Sequence, residues 1–354
     1  MIPLRPVGCD FWQTAVWGEF MKRDDVKKQY EDLLSDYLLN RREDLLYAAQ
    51  QLSKWMIEQR ISPEEIVNLH AAVIKKMVPD VPQAVVDSFD MLIEIMMGYG
   101  IAYREHESLV HRQQELEYEI EVAVGMQQTL LPETLPTFPG IDIGVISVPA
   151  NRMSGDYYNV VDHGRGKMGV ALSDIIGKGI PAALCMSMIK YAMDGLQEGS
   201  LRPSEILRRL NSVVERNVDP SMFITMVYGI YNTRNHRFFY ATAGHEPGLV
   251  FRSKERKFEN MPTRGLVLGV SPDATYKDYI VDLSPGDAII LFSDGVTECR
   301  VNGDFLGRDK LREVLLSCMD LPAQKAVEAV YQQIYRMAGY ELNDDQTLMI
   351  IRRK

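Results

Sequence analysis

The chain lacks most of what would place it outside a reducing, aqueous compartment. Its four cysteines, Cys9, Cys185, Cys299 and Cys318, are scattered through 354 residues with no C-x-x-C pair. That spacing excludes a disulfide framework and the usual zinc and dithiol sites, so they read as free thiols in a reducing cytosol. No basic-then-apolar leader opens the sequence. The longest apolar run, Met91–Tyr103, is too short for a bilayer and contains Glu94, so no membrane span is expected. Positive charge is also scarce. Against 49 aspartates and glutamates stand 39 lysines and arginines, a net charge of −10, which argues against nucleic acid or an anionic membrane as the main partner. Internal repeats and low-complexity tracts are missing. What is present, 46% hydrophobic and 25% charged residues, fits a globular, cytoplasmic protein with room for one large domain and a smaller one.

Residues 1–20 hold two of the three tryptophans, Trp12 and Trp17, without clean periodicity. Met21, followed by Lys-Arg-Asp-Asp, is a plausible start. The first twenty residues therefore read as a non-native or alternatively translated extension, or as a short docking arm. From Val26 to Gln59 apolar residues recur at three- and four-residue steps (Leu33, Leu34, Tyr37, Leu38, Leu45, Ala48, Leu52, Trp55), which predicts one helix. Ser62, Pro63 and Glu65 supply the cap, first-turn proline and third position of the next helix. Val78–Pro82 breaks the pattern, and a further helix is expected from near Gln83 to about Leu130. An all-helical, partner-binding module over 21–101 is expected. It is small enough that association with a second copy is expected as well.

Over 102–139 the character is that of a helical linker. Leu109, Leu116, Ala123 and Leu130 repeat every seven residues, with Gln113, Ile120 and Gln127 at the intervening core layers. The spacing fits either a weak parallel coiled coil or a single solvated connecting helix. Pro132, Pro136 and Pro139 end it. Residues 140–354 then turn strand-like, with strands expected at Ile141–Val148, Tyr157–Val161, Lys167–Ser173, Met222–Tyr231, Phe238–Thr242, Gly248–Phe251, Tyr276–Leu283 and Asp287–Phe292. Helices are expected at Pro181–Leu196, Pro203–Asn217, Arg308–Cys318 and Ala323–Met337, before a last strand around Leu348–Ile351. Strands interrupted by helix pairs predict an α+β domain, a sheet sandwich flanked by helices.

Four acidic sites share one grammar, a carboxylate at the edge of an apolar run beside a glycine or turn: Asp156 in S-G-D, Asp174 in S-D-I-I-G-K-G, Asp294 in S-D-G and Asp344 in D-D-Q-T. Singly, each is an ordinary turn former. Brought together, they would raise one another's pKa and stay ionised only beside cations, for which hard, oxygen-seeking divalent ions are the natural choice.

These elements, with Ile180–Lys190, A-G-H-E-P at 243–247, Gly265–Val270 and S-D-G-V-T-E-C, resemble the metal-dependent protein phosphatases (PPM) in their SpoIIE-like bacterial branch. The resemblance covers residues 151–351. It implies a PPM-type β-sandwich that binds two Mn²⁺ or Mg²⁺ ions, activates water and screens the phosphoryl charge. Asp174 would bridge the ions, the Ile175 carbonyl would complete one shell, Asp294 and Asp344 would hold the second ion, and Asp156 would reach a metal directly or through water. Asp345 is the neighbour most easily confused with Asp344. Where animal members carry a histidine, this chain has Ile176, so the general acid is not identified. His245 is either that acid or a turn stabiliser. Arg152 and Lys178 are phosphate ligands or solvated loop residues, and Glu298 and Tyr157 either support the metal ligands from behind or are packing residues. The resemblance further implies a phosphorylated anti-anti-sigma factor of STAS type as substrate, a kinase-like activator docking on the helical module, and a homodimer through that module and the linker. A polar coiled coil could pass activator binding to the helices around Pro181–Lys190. An inactive scaffold with this fold, or a small-molecule phosphomonoesterase, are the alternatives.

Overall fold

The computed structural model of the chain describes residues 26–177, 179–195, 202–219 and 221–354. The expectations for residues 1–20 and Met21, and for Lys178, fall outside the described residues. The chain divides into two compact units, residues 1–116 and 117–354. Among the described residues no helix is long and apolar enough to cross a membrane.

In the first unit lie α1 (Val26–Asn40), α2 (Glu43–Glu58), α3 (Pro63–Met77) and the beginning of α4 (Gln83–Gln128). The single helix expected over Val26–Gln59 is broken into α1 and α2. No apolar residue stands between Leu39 and Leu45 to hold a continuous stripe, and Arg41 adopts a left-handed φ of 49°. Arg42 then pairs with Asp44 across the first turn of α2. The capping box of α3 forms as read: Ser62 Oγ accepts from Glu65 N (3.4 Å) and Glu65 Oε2 accepts from Ser62 N (3.2 Å). Leu33, Leu45, Leu52, Trp55 and Met56 meet in the buried core, the residues that the three- and four-residue spacing put on one face.

The second unit is a sandwich of two antiparallel five-stranded sheets. Its strands are β1 (Ile141–Val148), β2 (Asp156–Asp162), β3 (Lys167–Ile175), β4 (Ile224–Asn232), β5 (Arg237–Ala243), β6 (Leu249–Arg252), β7 (Lys257–Asn260), β8 (Tyr279–Asp282), β9 (Ala288–Phe292) and β12 (Gln346–Arg353), with a small β10–β11 hairpin (Arg300–Val301, Asp304–Phe305). One sheet runs β1-β12-β9-β6-β7 and the other β2-β3-β4-β5-β8. Helices α5 (Ile180–Asp194) and α6 (Pro203–Asn217) cover the second sheet. Helices α8 (Gly307–Cys318) and α9 (Ala323–Met337) cover the first, and the one-turn α7 (Asp294–Thr297) follows β9.

Period-two alternation builds three cores from these four layers. On β3, Met168, Val170 and Leu172 face the sandwich interior, whereas Ala171 and Ile175 face α5 and α6. On β9, Ile289 and Leu291 face the interior, while Ala288, Ile290 and Phe292 face α8 and α9. Strands covered on both faces lose the polar half of the alternation. That is why A-I-I-L-F is apolar throughout and wholly buried.

Candidate metal centre

The strand order brings the acidic sites to one end of the sandwich. Asp156 opens β2 and Asp174 lies next to last on β3, and the two are paired across the ladder. Asp294 opens α7 straight after β9, and Asp344-Asp345 immediately precedes β12. Asp174, Asp294, Asp344 and Asp345 line one cavity of ≈ 1000 Å³, together with Ile120, Asn151, Arg152, Met153, Gly155, Ile175, Ile176 and Pro181. A smaller cavity of ≈ 250 Å³ also reaches Asp174 and Asp294 and is walled by Thr225, His245, Glu246 and Glu298.

A hydrogen-bonded frame joins the two sheets behind these carboxylates. Ser293 Oγ donates to Asp156 Oδ2 (2.6 Å) and accepts from Thr347 N (3.0 Å). Asp345 accepts from Ala150 N (2.7 Å, Oδ1) and Gly155 N (2.6 Å, Oδ2), so both of its oxygens are engaged by backbone. Among the described residues Asp344 accepts only from the neighbouring Asp345 N (3.0 Å), and it is exposed to the cavity. Gly295 has no room for a side chain, because its missing Cβ would strike the Asp345 carbonyl.

The electrostatics are those of an unneutralised cluster. Asp174 is pushed up to about 7 by burial and by Asp294, Asp344 and Asp345. Asp294 is raised by burial and by Asp344. Asp156, 1% exposed, is raised well above the usual carboxylate range, mainly by burial. Among the described residues no lysine, arginine or histidine forms an ion pair with any of these five carboxylates. Hard oxygen donors with raised pKa and no cationic partner fit a divalent ion. So does the space around Gly155: at the position of its absent Cβ, the Ile175 carbonyl lies at 2.9 Å, Asp174 Oδ1 at 3.2 Å and Asp345 Oδ2 at 3.7 Å. As the side chains stand, no three His, Cys, Asp or Glu groups among the described residues are arranged to hold one ion.

Of the residues singled out in the sequence, Asp174, Asp294, Asp344 and the Ile175 carbonyl meet at the cavity, while Asp156 sits buried behind it. Tyr157 is packing, fully buried against α5 and α6. His245 is 4% exposed and its Nδ1 lies 2.9 Å from Thr225 Oγ1. Burial holds it down to about 4, which removes the proton a general acid at neutral pH would need. Ile176 and Arg152 are exposed on the cavity rim. Sequence reasoning missed Ser293 and Gln127. Ser293 was readable only as part of S-D-G. Gln127, expected at a coiled-coil layer, is instead 5% exposed and bonded to Ser154.

Two solved structures share this fold, one of them a PP2C domain. The SiaA-PP2C domain of Pseudomonas aeruginosa matches 69% of this chain and 99% of its own, at 19% identity and a TM-score of 0.61. The RsbU and RsbW domains of a Mycobacterium tuberculosis protein match 64% of this chain and 63% of theirs, at 22% identity and a TM-score of 0.56. The family described as Stage II sporulation protein E (SpoIIE) matches residues 164–354, and that described as the N-terminal domain of phosphoserine phosphatase RsbU matches residues 28–102. Phosphoserine phosphatase RsbU of Bacillus subtilis is 49% identical over 332 residues, 94% of this chain and 99% of that protein. Protein IcfG of Synechocystis is 26% identical over 66% of this chain and 41% of its own length. The chain belongs to the SpoIIE family of PP2C-type phosphatases, in its RsbU group, and is an enzyme of that class. The family's phosphatases are metal-dependent.

Proposed function

We propose that the chain is a protein-serine phosphatase acting on a phosphorylated, RsbV-like STAS protein, and that an RsbT-like protein docks on its N-terminal helical unit. In this reading it works in the cytoplasm as a homodimer and turns on a sigma-B-type general stress response. The observation that carries the reading is the 49% identity to a phosphoserine phosphatase across both units, 94% of the chain.

Asp174, Asp294, Asp344 and the Ile175 carbonyl would hold two divalent cations, Mn²⁺ or Mg²⁺, with Asp156 orienting the cluster from behind or reaching an ion through water. Such ions, when bound, supply the positive charge and Lewis acidity that phosphomonoester hydrolysis needs. The chain's own residues do the rest. Asp345 and Ser293 fix the loops that present the carboxylates, and Arg152 on the rim is placed to meet phosphoryl oxygens. Ile176, Ile180 and Pro181 form an apolar lip, suited to a protein-borne phosphoserine more than to a free one.

The test is Mn²⁺-dependent dephosphorylation of a phosphorylated STAS protein by the full chain, with and without the candidate activator, compared with free phosphoserine. Faster turnover of the phosphoprotein, raised further by the activator, is expected. Equal turnover of free phosphoserine would overturn the substrate reading, and indifference to the activator would overturn the docking reading.

A further inference from the structure

Gln127 stands one residue from the end of α4, in the part of that helix that belongs to the phosphatase unit. A glutamine this buried calls for an explanation, since desolvating an amide is costly unless its donors and acceptor are met. Both ends are met by one residue. Gln127 Nε2 donates to the Ser154 carbonyl (2.7 Å) and Gln127 Oε1 accepts from Ser154 N (3.1 Å). A side-chain amide is suited to bridging a backbone N–H and C=O in this paired way, whereas an ammonium offers no acceptor and a carboxylate no donor.

The segment so held is the turn that feeds the acidic cluster. Ser154 Oγ accepts from Asp156 N (3.1 Å). Gly155 N donates to Asp345 Oδ2 (2.6 Å), and Gly155 O accepts from Ile175 N (3.1 Å). Ser154 and Gly155 thus tie this turn to α4, to the loop before β12 and to β3. Ile120, two turns before Gln127 on the same helix, forms part of the cavity wall. The end of α4 is therefore a structural part of the site.

Resting on the phosphatase reading above, we propose that Gln127 is a positioning residue: its amide holds the Ser154–Asp156 turn where the metal-binding carboxylates can close on cations. Removing a group that orients metal ligands from behind typically costs about 10–100-fold in metal affinity or activity.

The test uses the full chain and the variant Gln127→Met, which keeps the side chain's length and removes both bonds. Mn²⁺ affinity by titration calorimetry is expected to fall about tenfold. With p-nitrophenyl phosphate, kcat should fall and KM stay unchanged. Amide hydrogen exchange at Ser154, slow in the metal-free wild type, should become fast in the variant. Mn²⁺ binding within twofold of wild type would overturn the proposal. So would a Ser154 amide that is already unprotected in the wild type, a result that needs no variant to fold. Gln127→Asn keeps an amide but is one methylene too short for both bonds, and it carries the same expectation should Gln127→Met not fold. Failure of the phosphatase reading has a different signature, the absence of Mn²⁺-dependent turnover in the wild type.

Discussion

Asp156 and Asp174 face one another directly across the β2–β3 ladder, yet their surroundings divide them. Asp156 is sealed behind the cavity and receives the Ser293 hydroxyl at 2.6 Å. Asp174 opens onto the cavity among Asp294, Asp344 and Asp345, with uncharged Thr225 opposite it on β4. Like charges opposite one another on a sheet are unfavourable, so this pairing is tolerated only where protons or cations relieve it. Burial pushes both carboxylates toward the protonated form in the metal-free protein, and cations would hold Asp174 ionised.

This gives a pH signature for the metal-free chain. A carboxylate raised from 3.8 to about 7 stabilises the fold below its unfolded pKa and loses that contribution as pH rises through 7. Asp174→Asn cannot ionise. Its stability relative to wild type should therefore climb between pH 5 and pH 8 in EDTA, by about 2 kcal/mol once partial exposure and coupling to Asp294 are allowed for. Excess Mn²⁺ should reverse the order, stabilising wild type and not the variant, and Mn²⁺-dependent turnover should vanish. Parallel unfolding curves across this pH range would sink the electrostatic account, and equal turnover would sink the metal assignment.

Adjacent aspartates before β12 should part company on substitution. Asp345 spends both oxygens on backbone N–H groups of residues 150 and 155, and an asparagine can accept at only one of them. Asp345→Asn is expected to cost about 1–3 kcal/mol of stability. Asp344→Asn should hold or raise the unfolding temperature of the metal-free protein, because it removes a charge that repels Asp174 and Asp294, and should weaken Mn²⁺ binding at least ~10-fold. Calorimetric titration and melting curves on the same pair of variants decide it. A stability loss in Asp344→Asn with intact metal binding would exchange the two roles.

Ser293 ties the two sheets together at the site. Its hydroxyl meets Asp156 and its backbone N donates to the Thr347 carbonyl at 3.0 Å. Ser293→Ala removes the 2.6 Å donor of a fully buried carboxyl and leaves the Thr347 hydroxyl as its remaining side-chain partner, a loss of about 1–3 kcal/mol in the unfolding free energy. Chemical denaturation should show it, with the slope of the transition unchanged. A midpoint within error of wild type would mean that Thr347 alone satisfies Asp156.

Much of this was legible in the sequence, for identifiable reasons. Strands covered on both faces, such as β3 and β9, announce themselves as apolar runs, and their ends carried the aspartates. The α3 cap was readable because a capping box is local. Local pattern failed where the cause was not local. Strand β7 (K-F-E-N) is nearly all exposed and has no hydrophobic signature. The β10–β11 hairpin has two-residue strands, too short for any periodicity. Gln127 fitted a heptad layer equally well, and only the turn at Ser154, 27 residues away, reveals its role. For Asp344 against Asp345 the sequence offered a motif, and what separates them is which backbone N–H groups lie within reach.

A last prediction concerns Arg308, at the start of α8, which clamps the loop after His245. Its guanidinium donates to Glu246 Oε2 (2.9 Å), to the Pro247 carbonyl and to Asn260 Oδ1 (3.4 Å), and it lies 5.3 Å from the Phe292 ring centre. Glu246 walls the smaller cavity beside Asp174 and Asp294, and His245 reaches Thr225, the strand partner of Asp174. The clamp thus fixes the side of the site opposite Ser154. Arg308→Ala would leave the half-buried Glu246 carboxylate without its cation, lowering stability by about 1–3 kcal/mol. Arg308→Lys should recover little of this, because a single ammonium on a flexible stem does not span acceptors on three residues or stack on the ring as a planar fork does. Unfolding midpoints for wild type and both variants, with kcat at saturating Mn²⁺, make the comparison. Full recovery in the lysine variant would reduce the interaction to simple charge pairing and remove the forked geometry from the account of how this loop is held.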